Sequence, residues 1–334
     1  MAVLPVSPFF QSDKGSIRSA APSPVIACVD DTRDARALVR AAAEYAQSLD
    51  RPLVLFHVLE HGDDPTRLPD PFEWNLRKQE ARRELDRLRE GLPDLSQDVA
   101  LDLEEGDWLT ALGDQERDSG ALLVVGAPPR RVSRPSASRM ARLLAETHSG
   151  SVLLIPHDHA PRAIGPTRIA VPIDGSNFAE AALVEAVLLA RRLSGELLLV
   201  HVVPDAGLAE FGPPAMSDLE LRLAVEHRNE LAACAFLETT RRRLLDQGLA
   251  VRSLCLKGEP RTALLHALEQ ESPDLVVLSP KGQGGRRCSD LSIGSTASYL
   301  IDHLTGPMLL VKADKTPAAR HIPLAPPARH DRPA

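Results

Sequence analysis

Short apolar runs recur along this chain, and between them lie longer stretches in which apolar residues return every three or four positions. Leu53 to Val58, Leu122 to Val125, Val152 to Ile155, Leu197 to Val200 and Leu275 to Leu278 are runs of the first kind. An apolar run of four to eight residues suits a strand covered on both faces, and a 3.6-residue return puts one apolar stripe on a helix. In the first half the pattern predicts strands near 25–30, 53–59, 97–103, 121–126 and 151–156, and helices near 34–49, 72–90, 107–118 and 137–148. In the second half it predicts strands near 167–174, 196–203, 249–256, 274–279 and 307–312, and helices near 177–194, 216–247, 260–270 and 295–304. Strands alternating with helices at this spacing imply right-handed crossovers and a mostly parallel sheet with helices on both faces.

The two halves follow one plan. Ile26 to Ala46, I-A-C-V-D-D followed by an amphipathic helix, parallels Ile169 to Ala190, I-A-V-P-I-D followed by another. Each is followed by an apolar strand that ends in His-Val, at His57-Val58 and His201-Val202. Later, L-L-V-V-G-A parallels L-V-V-L-S-P, and S-G-S-V-L-L-I-P parallels T-G-P-M-L-L-V-K. The chain therefore reads as a tandem repeat. Domains are expected at 24–157 and 167–312, joined by a polar, proline-marked linker at 158–166. Residues 1–23 and 313–334, rich in Pro, Ala, Ser and Arg without periodicity, are expected to be disordered.

Asp274 to Thr296, D-L-V-V-L-S-P-K-G-Q-G-G-R-R-C-S-D-L-S-I-G-S-T, is the stretch richest in chemistry. A buried strand stops at Ser279, a loop carries Lys281, Gly282, Gly284 and Gly285, and Gly294, Ser295 and Thr296 open a helix. Glycines let backbone N–H groups turn toward an anion, and a helix N-terminus adds unpaired donors with a partial positive charge. That combination suits phosphate. No Gly-Lys-Ser/Thr follows the glycines, so the loop is no Walker-type P-loop, and the second small-residue cluster comes too late for the Gly-x-Gly-x-x-Gly of dinucleotide folds.

The motif resembles that of the universal stress protein family, whose nucleotide-binding members carry Gly-x-x-Gly, about nine residues, then Gly-Ser or Gly-Thr. Two registers come near it, each departing from the family spacing: Ser279, in place of the first glycine, with Gly282 followed by eleven residues, or Gly282 with Gly285 followed by eight, each closing on Gly294-Ser295. The resemblance implies two tandem Rossmann-like domains of the adenine nucleotide alpha hydrolase type, each a five-stranded parallel sheet of order 3-2-1-4-5 with helices on both faces. It also implies a ligand crevice at the carboxyl ends of the first and fourth strands, where the order reverses, and ATP or a related adenine nucleotide in the second domain, with Mg²⁺ as a possible companion. Asp174 matches the family's strand-end aspartate on the adenosine part, and a carboxylate can accept from ribose hydroxyls or an adenine amino group. The same D-G-S-N segment can instead cap the next helix through Ser176 or Asn177. Val202 matches a position whose backbone faces adenine. Ser295 offers its hydroxyl and N–H to phosphate or serves as an N-cap. Lys281, Arg286 and Arg287 would offset phosphate charge. His57 and His201 read as packed strand-end histidines, and Gly258-Glu259-Pro260 as a turn into a helix.

Aligning the repeats sets Gly126 opposite Ser279, Pro129 opposite Gly282, Ser138 opposite Gly294 and Arg139 opposite Ser295. Pro128 and Pro129 have no N–H to donate, so the first half is expected to have lost the phosphate site although Asp30 remains. Val152–Ile155 and Met308–Val311 would form apolar edges, which family dimers pair, so the halves are expected to dock as a built-in dimer; a homodimer of whole chains is a further possibility.

Composition narrows the field. The 334 residues carry 43% hydrophobic, 25% charged and 3% aromatic side chains with net charge −7, which excludes a basic nucleic-acid or membrane footprint and an aromatic stacking platform. No run approaches the ~20 apolar residues of a membrane helix, and a cytoplasmic protein is expected. Cys28, Cys234, Cys255 and Cys288 form no Cys-x-x-Cys pair and read as scattered thiols, Cys288 being the one in the loop. His157 and His159 lack a neighbouring carboxylate cluster and read as linker residues. Three function classes stand: a nucleotide-binding stress-response protein that works through partner binding or assembly, a weak ATP hydrolase for which Asp290 is the only loop carboxylate, and a scaffold without nucleotide.

Overall fold

The computed structural model describes residues 23–30, 35–60, 70–92, 98–115, 120–127, 150–156, 168–205, 216–282 and 293–312. The first half contributes strands β1 (Val25–Cys28), β2 (Leu53–Leu59), β3 (Val99–Glu105), β4 (Leu122–Ala127) and β5 (Val152–Pro156), with helices α1 (Ala35–Leu49), α2 (Pro71–Glu90) and α3 (Trp108–Gln115). The second half contributes β6 (Arg168–Pro172), β7 (Glu196–Val203), β8 (Ala250–Lys257), β9 (Leu275–Leu278) and β10 (Met308–Leu310), with α4 (Asn177–Leu193), α5 (Met216–Asp246), α6 (Pro260–Glu271) and α7 (Ser295–His303). The helix expected near 137–148, the linker and both chain ends lie outside the described residues.

The five-stranded parallel sheets expected for the two halves are continuous, forming one mixed sheet of ten strands in the order β3-β2-β1-β4-β5-β10-β9-β6-β7-β8. Every ladder is parallel except the central one, where β10 runs antiparallel to β5 with Met308 opposite Leu154, Leu309 opposite Leu153 and Leu310 opposite Val152. These strands are apolar and buried, so each covers the N–H and C=O row that the other would leave open. The outer edges are β3 and β8, which carry Asp102, Glu104 and Glu105 on one side and Arg252 and Lys257 on the other. Such charges discourage further strand addition.

Alternation along the strands divides the core into two layers. Val25 and Ala27 of β1, Leu275 and Val277 of β9 and Val251 of β8 face α1, α2, α4 and α5, where Leu38, Leu85, Ala186 and Leu237 complete the layer. Ile26, Cys28, Val276 and Leu278 face the other side, under α3, α6 and α7, with Leu112, Leu264 and Leu300. Among the described residues no helix is long and apolar enough to cross a membrane.

Candidate functional site

The order of strands reverses between β9 and β6, and the chain leaving each of them meets the other. β6 ends at Pro172, and Ile173, Asp174, Gly175 and Ser176 then turn the backbone into α4. Gly175 takes φ +76°, a left-handed conformation that a side chain would strain. Asp174 Oδ1 accepts from the Ser176 N–H at 2.9 Å, and the Ser176 hydroxyl, as N-cap, accepts from Ala179 N at 3.2 Å. The capping alternative for this segment thus falls to Ser176, which leaves Asp174 Oδ2 aimed elsewhere.

That oxygen faces the loop after β9. A Cβ built on Gly282 would stand 2.6 Å from Asp174 Oδ2, closer than any real side chain tolerates. Glycine at 282 is therefore what lets the strand-end carboxylate and the loop backbone share one space. On the other side, Gly294 N donates to the carbonyl of Pro280 at 2.7 Å, which fastens the start of α7 to the loop two residues before Gly282. Gly294 is the N-cap and has no side chain to cap with, so among the described residues no side chain caps the first-turn N–H groups of α7. Ser295 is the first helical residue rather than the cap.

Asp174, Gly282, Gly294, Ser295 and Thr296 thus come together at one end of the β6–β9 cleft. Ser279 plays a local part: Lys281 N donates to its hydroxyl at 3.3 Å, closing a small turn where the family motif would have glycine. Val202 lies near the end of β7, opposite Leu256 of β8, half-buried and packed with the layer beneath α6 and α7. His201, one residue earlier, places Nδ1 2.6 Å from the Ile173 carbonyl and so props the turn that carries Asp174. Gly284, Gly285, Arg286, Arg287, Cys288 and Asp290 lie outside the described residues. The Pro280 carbonyl has no motif of its own, and the Ser-Pro pair closing the apolar run is the only sequence signal near it.

Around the cleft, α6 is positioned by Glu259, whose carboxylate accepts from Thr262 N at 2.9 Å with Pro260 in the first turn. Arg261 at 2.7 Å from that carboxylate, helped by the Thr262 donors, holds it well below the usual range, at about 2. The Arg261 guanidinium also lies 5.9 Å above the ring of Tyr299 on α7, which stacks on His303 at 4.0 Å. Behind the Asp174 turn, on the other face of the sheet, a pocket of about 210 Å³ opens between α4 and α5. No group of three His, Cys, Asp or Glu side chains able to hold a metal occurs among the described residues.

The sequence model of the universal stress protein family matches residues 166–312. The second half of this chain belongs to that family. Universal stress protein YxiE of Bacillus subtilis is 25% identical over 147 residues, covering 43% of this chain and 98% of the relative. Universal stress protein MJ0531 of Methanocaldococcus jannaschii is 26% identical over 150 residues, covering 44% of this chain and 83% of the relative. Among solved structures, a universal stress protein from Archaeoglobus fulgidus spans more: 88% of this chain and 98% of its own, with a TM-score of 0.62 at 16% identity. A protein from Pseudomonas aeruginosa covers 87% of this chain and 93% of its own with a TM-score of 0.54, also at 16% identity. At such identities the likeness over both halves is one of fold.

Proposed function

We propose that the universal stress protein domain of residues 167–312 binds ATP or a related adenine nucleotide in the cleft between Asp174, the Gly282 loop and the start of α7. The observation that carries this is the close approach of the Asp174 carboxylate to the Gly282 backbone, beside a helix start whose N-cap glycine offers no side-chain cap. Charge then orients the ligand. A phosphate beside the Asp174 carboxylate would be repelled, whereas the N-terminus of α7 and Lys281 attract it, so the nucleoside end goes to Asp174 and the phosphates to Gly294, Ser295 and Thr296. Val202 contributes backbone near the base, Ser279 holds the turn, and Gly284 and Gly285 add N–H donors. Mg²⁺, if it accompanies ATP, is carried by the phosphates.

In this reading the domain of residues 24–157 keeps the frame without the cradle, and the β5–β10 join makes the chain a built-in pseudo-dimer. Its role in the stress response, which the family assignment supports, is exercised through nucleotide-linked partner binding or assembly. Calorimetric titration of the full chain with ATP, ADP and AMP tests the assignment. Wild type should bind at least one of them, and Gly282→Ala should weaken that binding about tenfold, or about 1.4 kcal/mol, because the new methyl displaces the Asp174 carboxylate. Equal affinity in the two proteins, or no heat with millimolar nucleotide, would end the proposal.

A further inference from the structure

Two cysteines that stand 21 residues apart in the chain meet on the seam between α5 and β8. Glu230 of α5 and Lys257 of β8 form an ion pair at 2.5 Å across this seam. Cys234 lies four residues further along the helix, a rise of about 6 Å, and Cys255 two residues back along the strand, about 6.6 Å. Helix and strand run in opposite directions, so both steps lead the same way. Still further along, Leu237 and Leu244 pack in one layer with Val251 of β8. Residues 251, 255 and 257 share one face of the strand, the face that α5 covers.

The ion pair and the shared layer accordingly set both thiols on the same stretch of the seam, near enough for Cys234 to act on the Cys255 thiol. Cys234 is exposed and Cys255 half-buried. Partial burial, followed by the contact with Cys234, pushes the Cys255 thiol up to about 11. All three described cysteines are free thiols, as expected, and two of them are neighbours across this seam although the chain separates them.

We infer that Cys234 and Cys255 form a peroxide-sensitive thiol pair that closes to an intramolecular disulfide, clamping α5 onto the outer strand β8. A hydroperoxide first oxidises the exposed Cys234: its sulfur takes one peroxide oxygen to become a sulfenic acid, and the second oxygen leaves as water or alcohol. The Cys255 sulfur then attacks the sulfenyl sulfur; the S–S bond forms, the S–O bond breaks, and the departing hydroxide takes the Cys255 proton as water. Two thiols are oxidised and one peroxide is reduced. The ladder partner of Cys255 is His201, so the clamp sits one strand away from the histidine that supports the Asp174 turn. In the first half the matching positions hold Arg82 and Leu103, which gives the molecule an internal control without thiols.

The test uses the full chain, reduced and then exposed to hydrogen peroxide at neutral pH, digested with trypsin without reduction and read by mass spectrometry. Wild type should give the peptide Asn229–Arg241 joined to Ser253–Lys257 with loss of two hydrogens, reversible by dithiothreitol. Cys255→Ser should leave a sulfenic acid on Cys234 that dimedone traps, while Cys234→Ser should leave Cys255 reduced. Oxidation of wild-type Cys234 to sulfinic acid with no joined peptide, or joining only between chains, would overturn the inference. This outcome is independent of whether the cleft binds nucleotide.

Discussion

In the first half His57 Nδ1 lies 2.8 Å from the carbonyl of Val29, and in the second His201 Nδ1 lies 2.6 Å from that of Ile173. Val29 N donates to Phe56 O and Ile173 N to Val200 O, both at 2.8 Å, and Gly106 N and Gly258 N donate to Leu59 O and Val203 O. The third helix of each half starts on a carboxylate, Asp107 with Thr110 and Glu259 with Thr262. Side chains beyond this frame differ. Lys78 of α2 pairs with Glu105 of β3, which also accepts from Trp74 Nε1 at 2.7 Å, and at the matching place Glu230 of α5 pairs with Lys257 of β8. The charges have changed places and the bridge persists. An exposed ion pair asks only for opposite signs, whereas a carbonyl that shapes a strand end asks for one donor in one position. The same contacts thus recur at Val29 and Ile173, the residues that immediately precede Asp30 and Asp174. What separates the halves is the segment after the fourth strand: Gly282 comes up to Asp174, while the stretch that aligns with it in the first half carries Pro128 and Pro129 in sequence and lies outside the described residues.

The largest effect is expected where the halves join. Leu309 is 2% exposed and faces Leu153, itself fully buried, across the antiparallel ladder. Leu309→Ala leaves a cavity in a seam that both halves share and should cost about 3 kcal/mol. If one sheet serves both halves, thermal unfolding followed by calorimetry should show the transitions of both moving down together. A shift confined to one of two resolved transitions would mean that the halves fold independently.

A smaller effect, on affinity rather than on folding, should separate the two strand-end carboxylates. Asp174→Asn keeps an acceptor but removes the charge, and should weaken adenine nucleotide binding by about tenfold, which is about 1.4 kcal/mol. Asp30→Asn should leave the affinity unchanged, because the glycine cradle belongs to the second half. Equal losses in the two variants, read by titration calorimetry, would place a working site in each half.

Element positions were legible in the sequence because apolar runs and 3.6-residue returns are set by burial, and burial is what a two-faced sheet imposes on every strand. The approach of Asp174 to the glycine loop was legible for a related reason: a strand order that reverses brings two loops together, and glycine marks where backbone must come close. Other features carried no local signal. The single ten-stranded sheet depends on β5 meeting β10 across more than 150 residues of chain; the residues themselves show only two apolar edges, and the expectation that these pair comes from the family resemblance. The Cys234–Cys255 contact arises from the counter-running of helix and strand, which spacing along the chain hides. The Ser279 turn reads in sequence as a departure from a motif, and only the bond from Lys281 N shows that the hydroxyl has a structural task.

The smallest effect concerns the helix start that the halves share. Glu259 caps α6, and the Arg261 guanidinium with the Thr262 donors keeps its carboxyl near 2 instead of the ordinary 4.5. A carboxyl depressed in the folded state stabilises at pH values above its unfolded value and loses that contribution as pH falls through the folded one. Glu259→Gln should therefore lower stability by no more than about 0.5 kcal/mol at pH 7, since the cap is exposed and solvent screens its ion pair. The gap between the two proteins should stay constant down to about pH 4.5 and shrink toward nothing near pH 2, as read from urea midpoints across that range. A gap that widened on acidification would mean that the carboxylate is held by repulsion in the folded chain, which the Arg261 contact rules against. Asp107→Asn makes the matching neutral substitution in the first half, where the carboxylate meets Thr110 N at 3.1 Å and asparagine keeps the acceptor, so the pair of variants shows whether charge at the two helix starts contributes alike at neutral pH.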